Sequence, residues 1–71
     1  MKRPTVEDIK VVLTEYHDHP EYLESQAQWI HEQWHNESME KALWSDVPVR
    51  YVTFGGIAQR LVEKFGRGVL E

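Results

Sequence analysis

Residues 20–35 read PEYLESQAQWIHEQWH, and this stretch has the clearest secondary-structure pattern in the chain. Pro20 suits the first position of a helix, where no N–H is needed, and Glu21 is favoured by the positive end of the helix dipole. Apolar residues then recur at i, i+4, i+7 and i+11, which predicts one buried stripe: Leu23, Ala27, Ile30 and Trp34. The stretch therefore predicts a long amphipathic helix that runs to about His35.

The segment before this helix supports two predictions. Residues 9–16 read IKVVLTEY, and their β-branched side chains favour a strand. However, Thr5 and Asp8 have the spacing of a helix cap. Four apolar residues also recur at helical spacing: Val6, Ile9, Val12 and Tyr16. We expect a strand over residues 10–16, with a helix as the alternative.

The segment after the long helix predicts a short helix and a strand. Asn36 or Ser38 is a suitable N-cap for a helix that includes Ala42, and Pro48 closes it. Residues 49–54 read VRYVTF, which is typical of a strand because of its β-branched and aromatic content. Gly-Gly follows directly and predicts a turn.

The last segment predicts another amphipathic helix over residues 57–65, with Gly66 as its terminator. Together these elements predict one small domain, residues 1–71. Its expected class is α+β and helix-rich, with two short strands and three helices. A small all-α bundle is the alternative if the first segment is helical.

Composition limits how this domain is stabilised and where it works. A chain of 71 residues has a small core, and small domains usually need disulfides, a metal or a second subunit. There is no cysteine, which is consistent with a cytoplasmic location, and neither a secretion signal nor a membrane span is visible. The sequence therefore favours a metal or an oligomer as the stabilising element.

Charge is distributed unevenly along the chain. Residues 1–40 carry nine acidic and three basic side chains, whereas residues 41–71 carry three acidic and five basic ones, for a net charge of −4. Nucleic-acid binding needs a dense basic face, because phosphate neutralisation supplies most of the non-specific affinity. Five dispersed basic residues argue against a nucleic-acid partner.

Several short motifs together resemble one enzyme family. HPEY and AQWIHEQW look like the first strand-to-helix passage of the GNAT-type N-acetyltransferases, and ESME and VP before RYVTFGG are similar to the second helix and second strand of that fold. The resemblance covers residues 11–56. It implies a front end without the glycine-rich turn that holds acetyl-coenzyme A at a helix N-terminus. No catalytic residue is carried over, and the resemblance implies a truncated or repurposed segment.

A second motif is typical of zinc sites. His31, Glu32 and His35 match the H-E-x-x-H pattern, in which two histidines one turn apart bind the metal and the glutamate acts as general base. Glu24 lies on the same stripe, and His17 or His19 is a candidate third ligand from the preceding loop. The extended motif's further glycine and histidine are missing, so surface histidines are the simpler interpretation. Zinc is the one cofactor that the sequence suggests.

Aromatic residues outside the predicted core predict a second apolar surface: Tyr22, Trp29, Trp44, Tyr51 and Phe54. One interpretation is an enlarged core under the C-terminal helix. The other is a protein–protein interface, in which Trp and Tyr are common anchors, and we favour a homodimer through this surface. A different protein partner is the alternative occupant.

These observations lead to three functional hypotheses from different classes. The favoured one is a non-catalytic interaction or assembly module. The first alternative is a zinc-binding protein or metal-dependent hydrolase that uses the H-E-x-x-H motif. The second is a small DNA-binding regulator, because residues 53–60 resemble the start of a helix-turn-helix and the C-terminal helix region carries three basic residues: Arg60, Lys64 and Arg67.

Overall fold

The computed structural model describes residues 3–16, 19–35 and 38–70, without the side chains of residues 39 and 70. In this part of the chain it shows four α-helices, one β-hairpin and a short 3₁₀ helix. Their bounds are Val6–Leu13 (α1), Pro20–Trp34 (α2), Met39–Ala42 (α3), Pro48–Val49 (β1), Val52–Thr53 (β2), Phe54–Phe65 (α4) and Arg67–Leu70 (the 3₁₀ helix). The predicted class, helix-rich α+β, is confirmed.

Helix α1 occupies the segment for which we expected a strand, so that prediction is wrong. The Asp8 N–H donates a hydrogen bond to Thr5 Oγ1, and the Thr5 N–H donates one to the Asp8 carboxylate. This reciprocal capping box stabilises the first turn of the helix. Ile9, Val12 and Leu13 are fully buried on one face. Burial of that face outweighs the β propensity of the valines, because packing supplies most of a short helix's stability.

Helix α2 begins at Pro20 and ends at Trp34, close to the predicted bounds. Ala27, Ile30 and Trp34 are buried, and Leu23 packs partly buried against them. The predicted apolar stripe is therefore confirmed. α3 is the predicted short helix, although it spans a single turn.

Residues 49–54 form a hairpin and the start of a helix instead of one strand, which corrects the predicted bounds. The strands β1 and β2 are antiparallel, with two facing pairs: Pro48 with Thr53 and Val49 with Val52. Arg50 and Tyr51 form the loop between them. Arg50 has φ 55, a left-handed conformation that two-residue hairpin loops usually give to glycine or asparagine.

Helix α4 begins directly after β2, so Gly55-Gly56 form its first turn and the predicted turn at this position is wrong. Thr53 caps the helix, because its Oγ1 accepts a hydrogen bond from the Gly56 N–H at 3.0 Å. Gly55 lies against the chain that leaves α3. A Cβ atom there would lie 2.7 Å from the Ser45 carbonyl oxygen and 2.8 Å from that of Leu43. Only glycine allows this close approach.

The core lies between α1, α2 and α4, and the chain's last described turn completes it. α4 ends at Phe65, and Gly66 (φ 86) terminates it as the C-cap, as predicted. The following 3₁₀ helix buries Val69, whereas Phe65 is exposed. The buried apolar residues are Ile9, Val12, Leu13, Ala27, Ile30, Trp34, Ala42, Val49, Phe54, Ile57, Ala58, Leu61 and Val69.

Candidate functional site

The two histidines of the H-E-x-x-H motif lie at the C-terminal end of α2, beside a cation. His31 and His35 line a small cavity of about 40 Å³ together with Arg3, Pro4 and Trp34. Arg3 Nη1 donates hydrogen bonds to the carbonyl oxygens of Trp34 at 2.7 Å and His35 at 2.9 Å. The guanidinium caps the negative end of the helix dipole. Its charge opposes the binding of a metal dication at the same place.

The carboxylate predicted to join these histidines is held elsewhere. Glu24 lies 2.6 Å from Lys10 Nζ and accepts a second hydrogen bond from Gln28 Nε2 at 3.0 Å. The Lys10 hydrogen bond lowers the pKa of Glu24, and it raises the pKa of Lys10. These contacts join α1 to α2 and leave Glu24 a structural role.

The other predicted ligands are dispersed as well. Glu32 is exposed on α2, His19 Nδ1 lies 3.6 Å from Glu21, and His17 is outside the described residues. Within residues 3–16, 19–35 and 38–70, no group of three or more histidine, aspartate or glutamate side chains is arranged to hold a metal ion. Zinc binding through His31 and His35 stays a prediction.

The basic residues of the DNA-binding hypothesis are paired with acids. Glu15 at the end of α1 contacts Arg60 Nε at 2.7 Å and Lys64 Nζ at 3.2 Å. Arg60 also contacts Glu63 at 3.3 Å, and Arg67 lies 3.5 Å from Glu40.

The Arg60 hydrogen bond lowers the pKa of Glu15, and Glu15 raises the pKa of Arg60. These ion pairs neutralise the charge that phosphate contacts need. DNA binding through α4 therefore gains no support from the geometry, and it stays a prediction.

Four of the five residues of the predicted aromatic surface are exposed, and Phe54 is buried. The exposed fraction is 85% for Trp44, 69% for Tyr51 and 44% for both Tyr22 and Trp29. An enlarged aromatic core at these positions is therefore not what the structure shows. Phe54 is the aromatic residue of this region that is buried, and its ring contacts both Trp29 and Trp34.

Two of the exposed aromatic residues, Trp44 and Trp29, line two separate grooves. The first, which we call the Trp44 groove, has a volume of about 310 Å³. Its lining residues are Leu43, Trp44, Gln59, Val62, Glu63 and Arg67. Trp44 belongs to the turn after α3 and stands at the edge of apolar surface that Leu43 and Val62 provide.

The second, which we call the hairpin groove, lies between α2 and β1 and has a volume of about 430 Å³. Its lining residues are Ser25, Gln26, Trp29, Pro48, Val49 and Arg50. The Trp29 ring lies 5.4 Å from the Phe54 ring, and the Arg50 guanidinium lies 4.8 Å from the centre of the Tyr22 ring. This second contact is a cation–π interaction. The two grooves have no lining residue in common.

Sequence reasoning did not single out Arg50 as a site residue. The two-residue loop lacks the Asn-Gly or Asp-Gly signature that marks a tight hairpin. The available signal was the pair of β-branched residues on either side of Arg50 and Tyr51, which is too short to fix a register.

Comparison with protein-family models, with curated proteins and with solved structures finds no match. The resemblance to N-acetyltransferases stays a prediction. Among the helices that the structure describes, none is both long enough and apolar enough to cross a lipid bilayer.

Proposed function

We propose that the protein is a non-catalytic assembly module that pairs with a second copy of itself through the Trp44 groove. The observation that carries this proposal is the 85% exposure of Trp44 next to apolar surface from Leu43 and Val62. Exposed apolar area is unfavourable in water at about 25 cal/mol per Å². Tryptophan is also the residue most often found as the energetic anchor of an interface.

The position of Trp44 supports a second copy as the occupant. The anchor and the groove lie on the same face, and a two-fold axis brings one face against an identical face. Each copy then supplies its Trp44 to the other's groove, so a single contact is made twice. Such an interface closes at two subunits and does not propagate.

The charges of the groove support the same arrangement. Glu63 and Arg67 both line it and have opposite signs. Under a two-fold axis, Glu63 can approach Arg67 of the second copy, which is favourable. Their present contacts with Arg60 and Glu40 are solvent-exposed and worth little, so they can rearrange on association.

A dimer would also supply stability that a small domain without disulfides lacks. A chain of 71 residues without cysteine has a small core and no disulfide. Burial of Trp44 against a second copy adds apolar contact outside that core. The proposal does not depend on the resemblance to N-acetyltransferases, which suggests a repurposed segment as the module's origin.

The test compares Trp44→Ala with Tyr51→Ala, which removes an exposed aromatic side chain that lines neither groove. Sedimentation velocity over a dilution series measures the dissociation constant of the dimer. Loss of a tryptophan anchor costs about 2 kcal/mol or more, so Trp44→Ala is expected to weaken association by roughly thirtyfold. Tyr51→Ala is expected to leave the dissociation constant unchanged.

Two outcomes would contradict the proposal. One is a wild-type protein that sediments as a monomer at every concentration and whose melting temperature does not depend on concentration. The other is a dimer that Tyr51→Ala weakens and Trp44→Ala leaves intact, since that result would move the interface to another face.

A further inference from the structure

The hairpin groove differs from the Trp44 groove in its charge. Among the residues described as lining it, Arg50 is the sole charged one, and the others are apolar or neutral. Arg50 makes no ion pair with any described carboxylate, whereas Lys10, Arg60, Lys64 and Arg67 all do. The groove therefore presents an uncompensated positive charge beside apolar surface.

The backbone at Arg50 is a second, independent observation. Its φ of 55 places a long side chain in the left-handed region, where L-residues other than glycine are strained by roughly 1–2 kcal/mol. Strained residues that a fold keeps are a reason to look for a function at that position. Here the strained loop holds the guanidinium 4.8 Å from the centre of the Tyr22 ring. That contact keeps the planar cation beside the groove and orders it in advance of binding.

From these observations we infer that the hairpin groove binds a segment of a partner protein in which a carboxylate side chain lies next to an apolar one. The guanidinium can pair with the carboxylate through two parallel hydrogen bonds. Trp29, Pro48 and Val49 supply an apolar wall for the neighbouring side chain. Ser25 and Gln26 add polar groups on the α2 side.

A second copy of this chain fits the hairpin groove poorly. A two-fold axis through the groove would place Arg50 against Arg50 of the other copy, and like charges repel. A contact without two-fold symmetry, from the groove to an acidic face elsewhere, would leave a free groove on each copy and propagate into a chain of molecules.

A highly anionic partner fits poorly as well. The protein's net charge of −4 repels nucleic acid and anionic lipid surfaces beyond the local contact with Arg50. A peptide with one or two carboxylates experiences mainly the local cation, because more distant charges are screened over roughly 10 Å. The observations therefore favour a short acidic and apolar segment over an extended anionic polymer.

The three tryptophans allow this inference to be tested separately from the proposed dimer. Each gives one indole N–H signal in a ¹⁵N-correlated spectrum: Trp29 lines the hairpin groove, Trp44 lines its own groove, and Trp34 is buried in the core. The probe is a short capped peptide in which a central leucine is flanked by glutamates, titrated into the full chain at low salt. The matched probe has glutamine at each glutamate position.

We expect the glutamate peptide to shift the Trp29 signal and leave the Trp34 and Trp44 signals in place. The glutamine peptide is expected to bind about tenfold more weakly, because the charge-assisted hydrogen bonds are lost. Arg50→Gln is expected to weaken binding of the glutamate peptide by a similar factor. Lys41→Gln removes the same charge from an exposed position outside both grooves and is expected to leave binding unchanged.

Arg50→Gly is the variant that distinguishes loss of peptide binding from loss of folding. Glycine accepts the left-handed backbone, so this variant is expected to keep its melting temperature or raise it while it loses the glutamate peptide. Three results would overturn the inference: equal binding of the two peptides, equal weakening by Lys41→Gln and Arg50→Gln, or no shift of the Trp29 signal. A Trp29 signal that moves on dilution without peptide would also overturn it, since the occupant would then be a second copy. None of these results depends on whether Trp44 mediates a dimer.

Discussion

The Trp44 groove carries charges of both signs, whereas the described lining of the hairpin groove carries the single charge of Arg50. The first is therefore compatible with an identical face under two-fold symmetry, and the second is not. The tryptophans that line the two grooves also differ in exposure. Trp44 is almost fully exposed, while Trp29 is half-buried against Phe54. Exposed aromatic residues of one small protein can therefore belong to separate surfaces, which differ in the charges around them.

The two grooves nevertheless share a structural support at the start of α4. The Gly55 N–H donates to the Ser45 carbonyl oxygen at 2.9 Å, and the next residue back, Phe54, contacts the Trp29 ring. Leu43, whose carbonyl oxygen lies close to Gly55, lines the Trp44 groove. The position of Gly55 therefore fixes both grooves at once.

Gly55→Ala is expected to have the largest effect of the changes considered. The added methyl group would meet backbone carbonyl oxygens at 2.7 and 2.8 Å, which cannot move aside as a flexible side chain can. Overpacking of this kind costs about 2 kcal/mol, or roughly 10 °C in melting temperature for a domain of this size. Differential scanning calorimetry measures the change, and both grooves should be lost together.

Gly56→Ala is the matched control. A methyl group there would lie 2.7 Å from Cγ2 of Val52, so this side chain must shift, but it would meet no backbone carbonyl oxygen. Alanine also has a higher helix propensity than glycine by about 1 kcal/mol. The net change should stay below about 1 kcal/mol. If Gly56→Ala were the more damaging substitution, the close approach of α4 to the α3 exit would not be what positions the grooves.

Trp29→Ala and Trp44→Ala should separate folding from association. Trp29 packs on the Phe54 ring at 5.4 Å and is half-buried, so its loss is expected to lower the free energy of unfolding by about 1–2 kcal/mol. Trp44 is exposed, and its loss should change the stability of the dilute monomer by less than about 0.5 kcal/mol. Urea titrations at low protein concentration measure both values.

A large loss of monomer stability in Trp44→Ala would contradict the expected difference between Trp29 and Trp44. It would mean that Trp44 packs on its own chain in solution, and the reason for assigning it to an interface would disappear. The same titrations on Trp29→Ala show whether the hairpin groove has a rigid wall, because an unchanged stability would mean that the contact with Phe54 is weak.

Arg50→Gly is expected to raise the free energy of unfolding, whereas the substitutions above are expected to lower it. Relief of the left-handed strain contributes roughly 1–2 kcal/mol, and loss of the exposed cation–π contact removes about 0.5–1 kcal/mol. The free energy of unfolding is therefore expected to rise by about 0.5–1 kcal/mol. Tyr51→Gly is the control, since the neighbouring position has no positive φ among the described residues and glycine there should be destabilising.

An Arg50→Gly variant less stable than wild type would contradict this prediction. The left-handed backbone would then be compensated by contacts of the arginine side chain, and the strain would no longer point to a partner. Chemical denaturation of the two variants side by side distinguishes these outcomes.

The sequence predicted α2 well because its signal is long and periodic. Four apolar residues on one stripe, with Pro20 at the start, outweigh any competing pattern over that length. The same reasoning was wrong for residues 10–16, where β-branched content competed with a cap. Thr5 and Asp8 form that cap, and the core face of α1 is buried on α2 and α4. A segment this short is decided by tertiary packing, which its own residues do not reveal.

The candidate site was predictable only in part. For the aromatic residues outside the apolar stripe of α2, the sequence left both an enlarged core and an interface open. The structure exposes Tyr22, Trp29, Trp44 and Tyr51 and buries Phe54. The placement of Trp29 and Trp44 in two separate grooves was not predictable. It depends on where the hairpin turns, and strands of two residues are too short to show the alternation of apolar and polar side chains that indicates register. The special role of Arg50 depends on one backbone angle, which sequence alone does not provide.

Glu15→Gln should have the smallest effect, and it tests whether the grooves are independent of the helix–helix ion pairs. Its carboxylate joins α1 to Arg60 and Lys64 of α4 but lines neither groove. The Arg60 hydrogen bond holds the pKa of Glu15 below its ordinary value of 4.5. A lowered pKa in the folded state means that the contribution is fully present above pH 4.5 and is lost as the pH falls through the folded-state value. The wild-type melting temperature should therefore decline below pH 4.5.

In Glu15→Gln that acid-dependent decline should be shallower, and the melting temperature at neutral pH only slightly lower, because the pairs are solvent-exposed. Glu32→Gln removes an acid of α2 that shows no ion pair among the described residues, so it should keep the wild-type pH profile. The Trp29 and Trp44 indole signals should stay in place in both variants at neutral pH. A shift of either signal in Glu15→Gln would mean that the packing of α1 on α4 is transmitted to a groove. The two grooves could then no longer be treated as surfaces whose partners are set by local charge alone.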